Sequence, residues 1–305
     1  MDKLVIRLGG YQGPKSVHTR GAVRFGEVLE QEVGGRATFE LVGDVIAVGR
    51  PSGGLPTMVE NGELALCYMS TVRFAPAVPE LRMFELPFVV NDRSRALAAL
   101  DGALGSLLKQ RMQARTPFRA LGFWDNGFRH FTNKVRPIRT PSDCQGLRIR
   151  TQMSELQGET LSALGFVPIA VDIKEYIEQV ASDRFQAQEN PLTNTYNFNV
   201  HRHHRYITLS GHFFGASALV CSQAQYASWP REVQQAVETA AGEATALQHE
   251  LAAEEDAEIL AKLDPKENDV IRLSAVEREA FVKAVEPVLA KHKMSLDAKL
   301  FDFLS

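Results

Sequence analysis

Cysteine is scarce in this chain, and its scarcity excludes two classes of small stabilised domain. The 305 residues contain three cysteines, Cys67, Cys144 and Cys221, each far from the others in sequence. An odd number of widely spaced cysteines gives neither a disulfide framework nor the paired spacing of a zinc site. We therefore expect packed thiols and a fold stabilised by an ordinary hydrophobic core.

Long apolar runs and runs of one charge are also missing. The longest hydrophobic stretches fall far short of the roughly 20 residues that a membrane-spanning helix needs. The formal net charge is -3, and lysine and arginine form no cluster of the kind that binds nucleic acid. We expect no signal peptide within this sequence, because the first predicted strand begins at Leu4. The chain is therefore expected to be either cytoplasmic or a mature secreted form that carries a start methionine.

Motifs for nucleotide, metal and covalent chemistry are absent. The sequence has no glycine-rich dinucleotide or phosphate loop, no nucleophile elbow and no His-Glu-x-x-His helix. The loop 201–205 is rich in histidine, but no second group of ligands lies near it in sequence, so we expect it at the surface. We predict no catalytic residue, no metal and no cofactor.

Strand-like and helix-like segments alternate in the first 125 residues. Strands are predicted at Leu4–Leu8, Ala37–Val42 and Leu64–Met69, separated by a helix that Ser16 caps and by a short helix from Leu55. A helix over 94–114 and a strand over 118–124 follow. The βαβαβ order predicts a parallel sheet covered by helices, so the fold class is α/β.

The second part of the chain continues this pattern and then changes. Strands are predicted at 129–133, 147–150, 184–188, 205–210 and 216–222. A helical pattern after Pro230 then continues for roughly 33 residues, which at about 1.5 Å per residue is near 50 Å. A helix of that length exceeds one small domain, so we expect it to cross between two domains. Ser274 is predicted to cap a final helix.

Three polar residues lie at or near the predicted ends of strands in the middle of the chain. Arg129 and Arg150 each carry a planar guanidinium that fits a carboxylate or phosphate through two hydrogen bonds, and Asn190 adds an amide. Ligands of open α/β sheets bind beyond the carboxyl ends of strands. Either arginine alone could pair with a surface acid, but the three together favour an anion-binding site.

Aromatic and polar residues at the same strand ends are candidates for the rest of a ligand site. Most aromatic residues of this kind belong to a core, but some form the apolar walls of small-ligand clefts. A capping or solvated role is an alternative for the histidine among them, because it lies at a helix start. The candidates are Tyr11, Gln12, His18, Met69, Ser70, Trp124, Phe128, Phe213 and Phe214.

Six fragments of the chain form an ordered set. They are Glu85-Leu86-Pro87-Phe88, Asn126-Gly127-Phe128-Arg129, the stretch 140–150, Ala163–Pro168, Glu175-Tyr176 and Gln188–Pro191. In this order they resemble the solute-binding proteins of TRAP (tripartite ATP-independent periplasmic) transporters. Any single fragment is a weak signal, but the set extends over essentially the whole chain.

The resemblance implies a periplasmic-binding-protein-like α/β fold of two lobes, with a ligand cleft between the lobes, crossing strands and a long lobe-spanning helix. It implies a lobe I of 1–126 plus 215–254 and a lobe II of 127–214 plus 255–305. It also implies that Arg150 pairs with the carboxylate of the solute, that Arg129 is a second cleft arginine and that Asn190 lies beside the carboxylate.

The function implied by the resemblance is capture of a small organic acid in the periplasm, followed by hinge closure and delivery to the membrane permease subunits of a TRAP transporter. A monomer with its signal peptide removed is expected, with no nucleic-acid partner. Aromatic, hydroxy and keto acids, C4-dicarboxylates and sugar acids all fit this reading. The alternatives from other classes are an anion-sensing module for a signalling partner and an enzyme that acts on a carboxylate.

Overall fold

The computed structural model describes residues 4–304, which form an α/β chain. Its strands are β1 Leu4–Gly9, β2 Ala37–Val42, β3 Leu66–Ser70, β4 Phe118–Asn133, β5 Arg148–Thr151, β6 Val167–Ala170, β7 Ala187–Pro191, β8 Tyr206–Ser222 and β9 Asp269–Arg272. Its α-helices are α1 Val17–Val33, α2 Leu55–Glu60, α3 Arg93–Asp101, α4 Ala103–Arg115, α5 Glu155–Ala163, α6 Ile173–Glu178, α7 Leu192–Asn197, α8 Gln223–Ser228, α9 Arg231–Lys262, α10 Ala275–Lys293 and α11 Lys299–Asp302. The α/β class expected from the sequence is confirmed.

The first of two compact units extends to Val78 and also contains Leu97–Asp125 and Ala216–Glu255. Its strands have the order β2-β1-β3-β8, with β1 parallel to β2 and β3, and β3 antiparallel to β8. Ile6 of β1 and Phe25 of α1 are fully buried. The apolar face of α1 therefore packs in the core of this unit.

The second unit contains Pro79–Ala96, Asn126–Gly215 and the chain from Asp256 onward. Its strands have the order β4-β7-β5-β6, in which β7 is antiparallel to β4 and parallel to β5. The first residues of β8 pair with β9. Phe131 of β4 and Phe281 of α10 belong to one buried cluster, so α10 covers this part of the sheet.

Helix starts lie where side chains can cap them. The hydroxyl of Ser16 accepts a hydrogen bond from the backbone N–H of Thr19 at 3.1 Å. Ser274 and Glu277 form both halves of a capping box at the start of α10. Each such cap supplies an acceptor for a backbone donor that has no partner inside the helix. Both predicted caps are confirmed.

Two pairs of predicted strands are single strands. Segments 118–124 and 129–133 belong to the continuous β4, and all of segments 205–210 and 216–222 except Arg205 belongs to β8. The interruption expected near Gly127 is local, because Gly127 takes a positive φ of 82° and the strand continues beyond it. Both β4 and β8 include residues of both units, so each carries the chain from one unit to the other.

The helix predicted over 94–114 is two helices, α3 and α4, separated at Gly102. Gly102 has φ -100° and ψ -138°, outside the helical region. A side chain at Gly105 would place its Cβ only 1.6 Å from the carbonyl oxygen of Leu100. The two glycines therefore permit a tight turn that the helical periodicity of the sequence conceals.

The segment Pro79–Ala96 belongs to the second unit, although the predicted division placed it in the first lobe. Its apolar side chains account for this placement, because Leu86 lies in a buried cluster with Phe213, and Phe88 lies in one with Phe131. The remaining changes of unit lie beside the predicted boundaries, after Asp125, Gly215 and Glu255.

The long helix predicted after Pro230 is confirmed as α9, which has 32 residues. Its residues up to Glu255 lie in the first unit and the rest lie in the second. Within residues 4–304, no helix combines the length and the apolar character needed to cross a membrane.

Candidate functional site

Arg150 is a buried cation in β5 of the second unit, with only 3% of its surface exposed. Its Nε and Nη2 donate to the carbonyl oxygen of Val171 at 3.2 and 2.9 Å. Burial lowers the pKa of Arg150 to about 10, which leaves the side chain positively charged at pH 7. No carboxylate of residues 4–304 lies within 4.0 Å of its nitrogens. A buried charge of this kind favours the approach of an anion.

Arg129 is equally buried, but its charge is matched. Its Nε donates to Oε2 of Glu189 in a very short ion pair, and its Nη2 donates to Oε1 of Glu189 at 3.0 Å and to the backbone oxygen of Glu189 at 2.9 Å. Thr151 donates to Oε1 of Glu189 at 2.9 Å. Since Glu189 is fully buried, the guanidinium and the carboxylate neutralise each other inside the fold.

The register of the sheet separates the two arginines. Arg150 lies opposite Gln188, which shares a face of the sheet with Asn190, whereas Arg129 and Glu189 occupy the alternate positions. Two guanidiniums and one carboxylate leave these buried groups with one net positive charge. Glu189 forms its close ion pair with Arg129, although its charge also favours the charged form of Arg150, so Arg150 is the cation of this group without a carboxylate of residues 4–304 within 4.0 Å.

Asn190 lies within β7, whereas the sequence placed it beyond the end of a strand. The shift follows from antiparallel pairing with β4, which continues to Pro191 opposite Arg129. Oδ1 of Asn190 accepts from Nη2 of Arg129 at 3.1 Å, and its Nδ2 donates to Oε1 of Gln188 at 2.6 Å. An amide nitrogen carries two N–H groups, so a second donor is available for an anion.

A buried hydrogen-bond network supports the guanidinium of Arg150. The guanidinium carbon lies 5.8 Å from the centre of the Tyr176 ring. The hydroxyl of Tyr176 is 3.2 Å from Nε2 of His204, and Nδ1 of His204 is 2.8 Å from the hydroxyl of Thr132. Burial lowers the pKa of His204 to about 3, so this ring is neutral. The sequence placed His204 in a surface loop, and this was wrong, because the side chain is fully buried in the network.

Glu85 is a second buried acid of the second unit. It is 4% exposed and accepts a very short hydrogen bond from the hydroxyl of Ser154. Burial raises the pKa of Glu85 to about 7, although the Ser154 hydrogen bond and the charges of Arg82 and Arg129 act in the opposite direction. Glu85 therefore changes its charge near neutral pH.

In the first unit, three of the predicted residues form an aromatic cluster with Tyr68. The ring of His18 lies 5.3 Å from that of Tyr68 and 6.1 Å from that of Trp124, and the rings of Tyr11 and Tyr68 are 5.5 Å apart. Nε1 of Trp124 donates to the hydroxyl of Thr245 at 3.1 Å. All four rings are buried. The cluster carries no formal charge, because burial lowers the pKa of His18 to about 3.

The other predicted residues of the first unit are also largely buried. Oε1 of Gln12 accepts from the hydroxyl of Ser16 at 2.9 Å, next to the start of α1. Met69 and Ser70 end β3 and are 3% and 7% exposed. Contact of these three residues with a solute stays a prediction.

The three predicted phenylalanines have different surroundings within the second unit. The rings of Phe128 and Phe214 meet edge to face with their centres 5.5 Å apart. Phe213 belongs to a buried cluster with Leu86 and Leu156, so its packing is that of a core residue. Phe128 is only partly buried and is the best candidate of the three for an apolar wall.

The partner of Arg129 is the main feature that the sequence did not reveal. Glu189 stands 60 residues after Arg129, so no local pattern connects the two. One signal was available, because an acid within a strand that is buried on both faces requires a cation or a proton.

The cysteines and possible metal ligands add no further chemistry. Cys67, Cys144 and Cys221 are free and buried, and burial raises the pKa of each thiol. The described part of the chain contains no group of three or more His, Cys, Asp or Glu side chains arranged to hold a metal ion. The expectation of packed thiols is confirmed.

Comparison with known proteins identifies the family. The family model described as bacterial extracellular solute-binding protein, family 7, matches residues 8–295. The Sinorhizobium fredii protein y4mM is 30% identical over 288 residues, which is 94% of this chain and 52% of that protein, so this chain spans about half the length of that relative. The C4-dicarboxylate-binding periplasmic protein DctP of Rhodobacter capsulatus is 25% identical over 295 residues, covering 94% of this chain and 86% of DctP.

A solved structure gives the same result for the fold. The TRAP periplasmic solute-binding protein of Polaromonas sp. JS666, bound to D-erythronate, superposes with a TM-score of 0.92 and 25% identity over 99% of this chain and 98% of that one. The fold is therefore that of a TRAP-type solute-binding protein. By the family match, this chain belongs to family 7 of the bacterial extracellular solute-binding proteins. The resemblance noted in the sequence is confirmed.

Proposed function

We propose that this chain binds a small organic acid through the carboxylate of that acid, which pairs with Arg150. The observation that carries the proposal is the buried guanidinium of Arg150, which has no carboxylate of the described residues within 4.0 Å. The second N–H of Asn190 adds a donor, and Arg129 orients the Asn190 amide through its 3.1 Å hydrogen bond. A carboxylate at Arg150 would neutralise the one net positive charge of the buried groups.

The transport role follows from the family. We infer that the chain acts in the periplasm as a monomer, with its signal peptide removed, and delivers the acid to the membrane permease subunits of a TRAP transporter. No chemical conversion of the acid and no cofactor are part of this proposal. Turnover of a bound acid by the purified protein would contradict it.

The class of solute is a small carboxylic acid. Two similar proteins bear names that state a C4-dicarboxylate and D-erythronate as ligands, and both compounds carry at least one carboxylate. A thermal-shift screen of organic acids tests this class, because a ligand at about 100 times its Kd adds about 2.7 kcal/mol to the free energy of unfolding. If no acid raises the melting temperature, the proposal fails.

Calorimetric titration of Arg150→Ala tests the assignment of the anchor. Removing one partner of a buried ion pair costs roughly 3–5 kcal/mol, so the Kd should rise about a hundredfold or more. Arg148→Ala is the matched control, because Arg148 lies two residues earlier on β5 and its guanidinium also donates to backbone oxygens, those of Asp183 and Arg184. The control should bind with an unchanged Kd. An unchanged Kd for Arg150→Ala would refute the assignment.

A further inference from the structure

The second unit buries two acids, and only one of them has a cation beside it. Within residues 4–304, the buried acids and bases of this unit are Glu85, Arg129, His130, Arg150, Glu189, His204 and His212. Glu189 forms its close ion pair with Arg129. Glu85 accepts a hydrogen bond from the hydroxyl of Ser154, and no ion pair within 4.0 Å joins it to a cation of the described residues. Glu85 is therefore a buried acid without a close counter-ion, in the same unit as the carboxylate anchor.

A count of charges gives Glu85 a part in solute binding. If Glu85 is ionised, two buried glutamates balance the two buried arginines, and no net charge is left for a solute. If Glu85 is protonated, one net positive charge remains, and one carboxylate at Arg150 cancels it. The histidines leave this count unchanged, because burial lowers the pKa of His130 and of His204 to about 3 and the pKa of His212 well below its ordinary value. Buried groups with a net positive charge bind an anion more tightly than groups with none.

The electrostatic surroundings of Glu85 overlap with those of Arg150. The charged groups that face Glu85 are Arg82 of its own segment, Arg129 of β4 and Glu189 of β7. The charges of Arg129 and Glu189 also act on the guanidinium of Arg150. Arg82 is only partly buried, so solvent screens its charge. A change of charge at Glu85 is therefore made among the same buried groups that hold the anchor.

The turn between β5 and α5 is a second connection between Glu85 and Arg150. Ser154 follows Arg150 by four residues, caps α5 and donates its hydroxyl proton to Glu85. Thr151, the residue after the anchor, donates to Oε1 of Glu189 at 2.9 Å. Both buried acids thus accept a hydrogen bond from the short segment that begins at the anchor.

We propose that the second unit takes up a proton on Glu85 when a solute carboxylate binds at Arg150, so that the affinity for the solute falls as Glu85 ionises. This proposal rests on the proposed function and adds regulation by pH to the same site. The proton comes from solvent, and the solute is not changed chemically. Burial raises the pKa of Glu85 to about 7, and a further anion nearby raises it more, so the coupling operates near neutral pH.

The pH dependence of the affinity is the first test. Calorimetry would measure the Kd of D-erythronate at pH 6 and pH 8.5, or that of the tightest monocarboxylate of the thermal-shift screen if D-erythronate does not bind. Such acids are ionised throughout this range. The Kd of the wild type should rise about threefold or more, the effect of two unit charges up to roughly 20 Å apart at an effective dielectric constant of about 20. An equal Kd at the two pH values would overturn the proposal.

The Glu85→Gln variant separates the charge from the hydrogen bond, because glutamine keeps an acceptor for Ser154 and mimics the protonated acid. It should bind at both pH values as tightly as the wild type binds at pH 6, whereas a purely structural role of Glu85 would give the same loss of affinity at both. Glu175→Gln is the matched control, since it removes a surface carboxylate of the same unit that pairs with Arg184, and it should keep the wild-type pH profile. A pH dependence that persists in Glu85→Gln would overturn the proposal.

Proton uptake can also be measured directly. Titrations near pH 7 in PIPES and in Tris, which differ in ionisation enthalpy, should show that the wild type takes up about 0.3 protons per solute bound and that Glu85→Gln takes up none. Ser154→Ala should move the midpoint of the pH profile upward, because the Ser154 hydrogen bond lowers the pKa of Glu85. Zero proton uptake by the wild type would contradict the coupling.

Failure of this proposal can be told apart from failure of the proposed function. If Arg150→Ala abolishes binding while the wild-type Kd does not depend on pH, the carboxylate anchor stands and the role of Glu85 is refuted. If no acid binds the wild-type protein at either pH, both are refuted.

Discussion

The two buried arginines of the second unit have nearly the same exposure and opposite electrostatic situations. Arg129 is 2% exposed and Arg150 is 3% exposed. Arg129 donates to both carboxylate oxygens of Glu189, whereas Arg150, among residues 4–304, donates only to the backbone oxygen of Val171. Burial of an arginine therefore does not by itself mark a ligand anchor. The lack of a carboxylate within 4.0 Å among the described residues distinguishes Arg150, and on that basis we propose that Arg129 is mainly structural and that Arg150 anchors the solute.

The largest loss of stability should come from breaking the buried ion pair between Arg129 and Glu189. Glu189→Gln would leave Arg129 buried without its counter-ion, so the free energy of unfolding should fall by about 3–5 kcal/mol. Urea unfolding followed by circular dichroism measures this. Glu175→Gln is the control, because Glu175 forms an ion pair with Arg184 at the surface. Such an exposed pair contributes at most about 1 kcal/mol. Equal losses in the two variants would contradict the distinction between the arginines.

The buried acid Glu85 should make the stability of the second unit depend on pH, in contrast to the ion-paired Glu189. Its pKa of about 7 in the folded protein lies above the ordinary value of 4.5 for a glutamate, so the fold favours the protonated form. The stabilisation is complete below about pH 4.5 and is lost as the pH rises through 7, a change of roughly 3 kcal/mol. Urea unfolding of the wild type and of Glu85→Gln at pH 5 and pH 8 should show the wild type losing stability relative to the variant. A difference that does not change with pH would contradict the assignment.

A smaller change, in solute affinity, should come from substitutions of Tyr176, whose ring lies near the guanidinium of Arg150. Tyr176→Phe removes the hydroxyl that meets His204 but keeps the ring, and should weaken solute binding only a few-fold, the equivalent of about 1 kcal/mol. Tyr176→Leu also removes the ring that faces the guanidinium, which should add about 0.5–2 kcal/mol. Calorimetry on both variants measures the difference. If Tyr176→Phe binds worse than Tyr176→Leu, the proposed support is wrong.

The sequence revealed those parts of the fold whose signals are local. The caps at Ser16 and Ser274 and the long helix α9 were predicted because the residues that specify them lie within a turn or repeat along one face. The continuity of β4 was missed, because separate strands were predicted over 118–124 and 129–133, whereas the strand continues through Gly127 despite its positive φ. Pairing with β7 decides the outcome, and pairing is a tertiary property.

The candidate site was predictable in its residue types and not in its electrostatics. Arg129, Arg150 and Asn190 could be selected from their places near strand ends and from the resemblance. The difference between Arg129, which has a close carboxylate, and Arg150, which has none, depends on Glu189. The register of β4 and β7 brings Glu189 to Arg129. Likewise, the burial of the His18 ring beside Tyr68 and Trp124 depends on packing that no spacing in the sequence specifies.

The most direct test of the central claim is urea unfolding of Arg129→Met and Arg150→Met, each with and without a saturating organic acid. Without ligand, Arg129→Met should lose about 3–5 kcal/mol because it leaves Glu189 buried and unpaired, whereas Arg150→Met should lose no more than about 1.5 kcal/mol. With the acid at about 100 times the wild-type Kd, the wild type should gain about 2.7 kcal/mol and Arg150→Met should gain almost nothing. An acid-induced gain in Arg150→Met equal to that of the wild type would contradict the account.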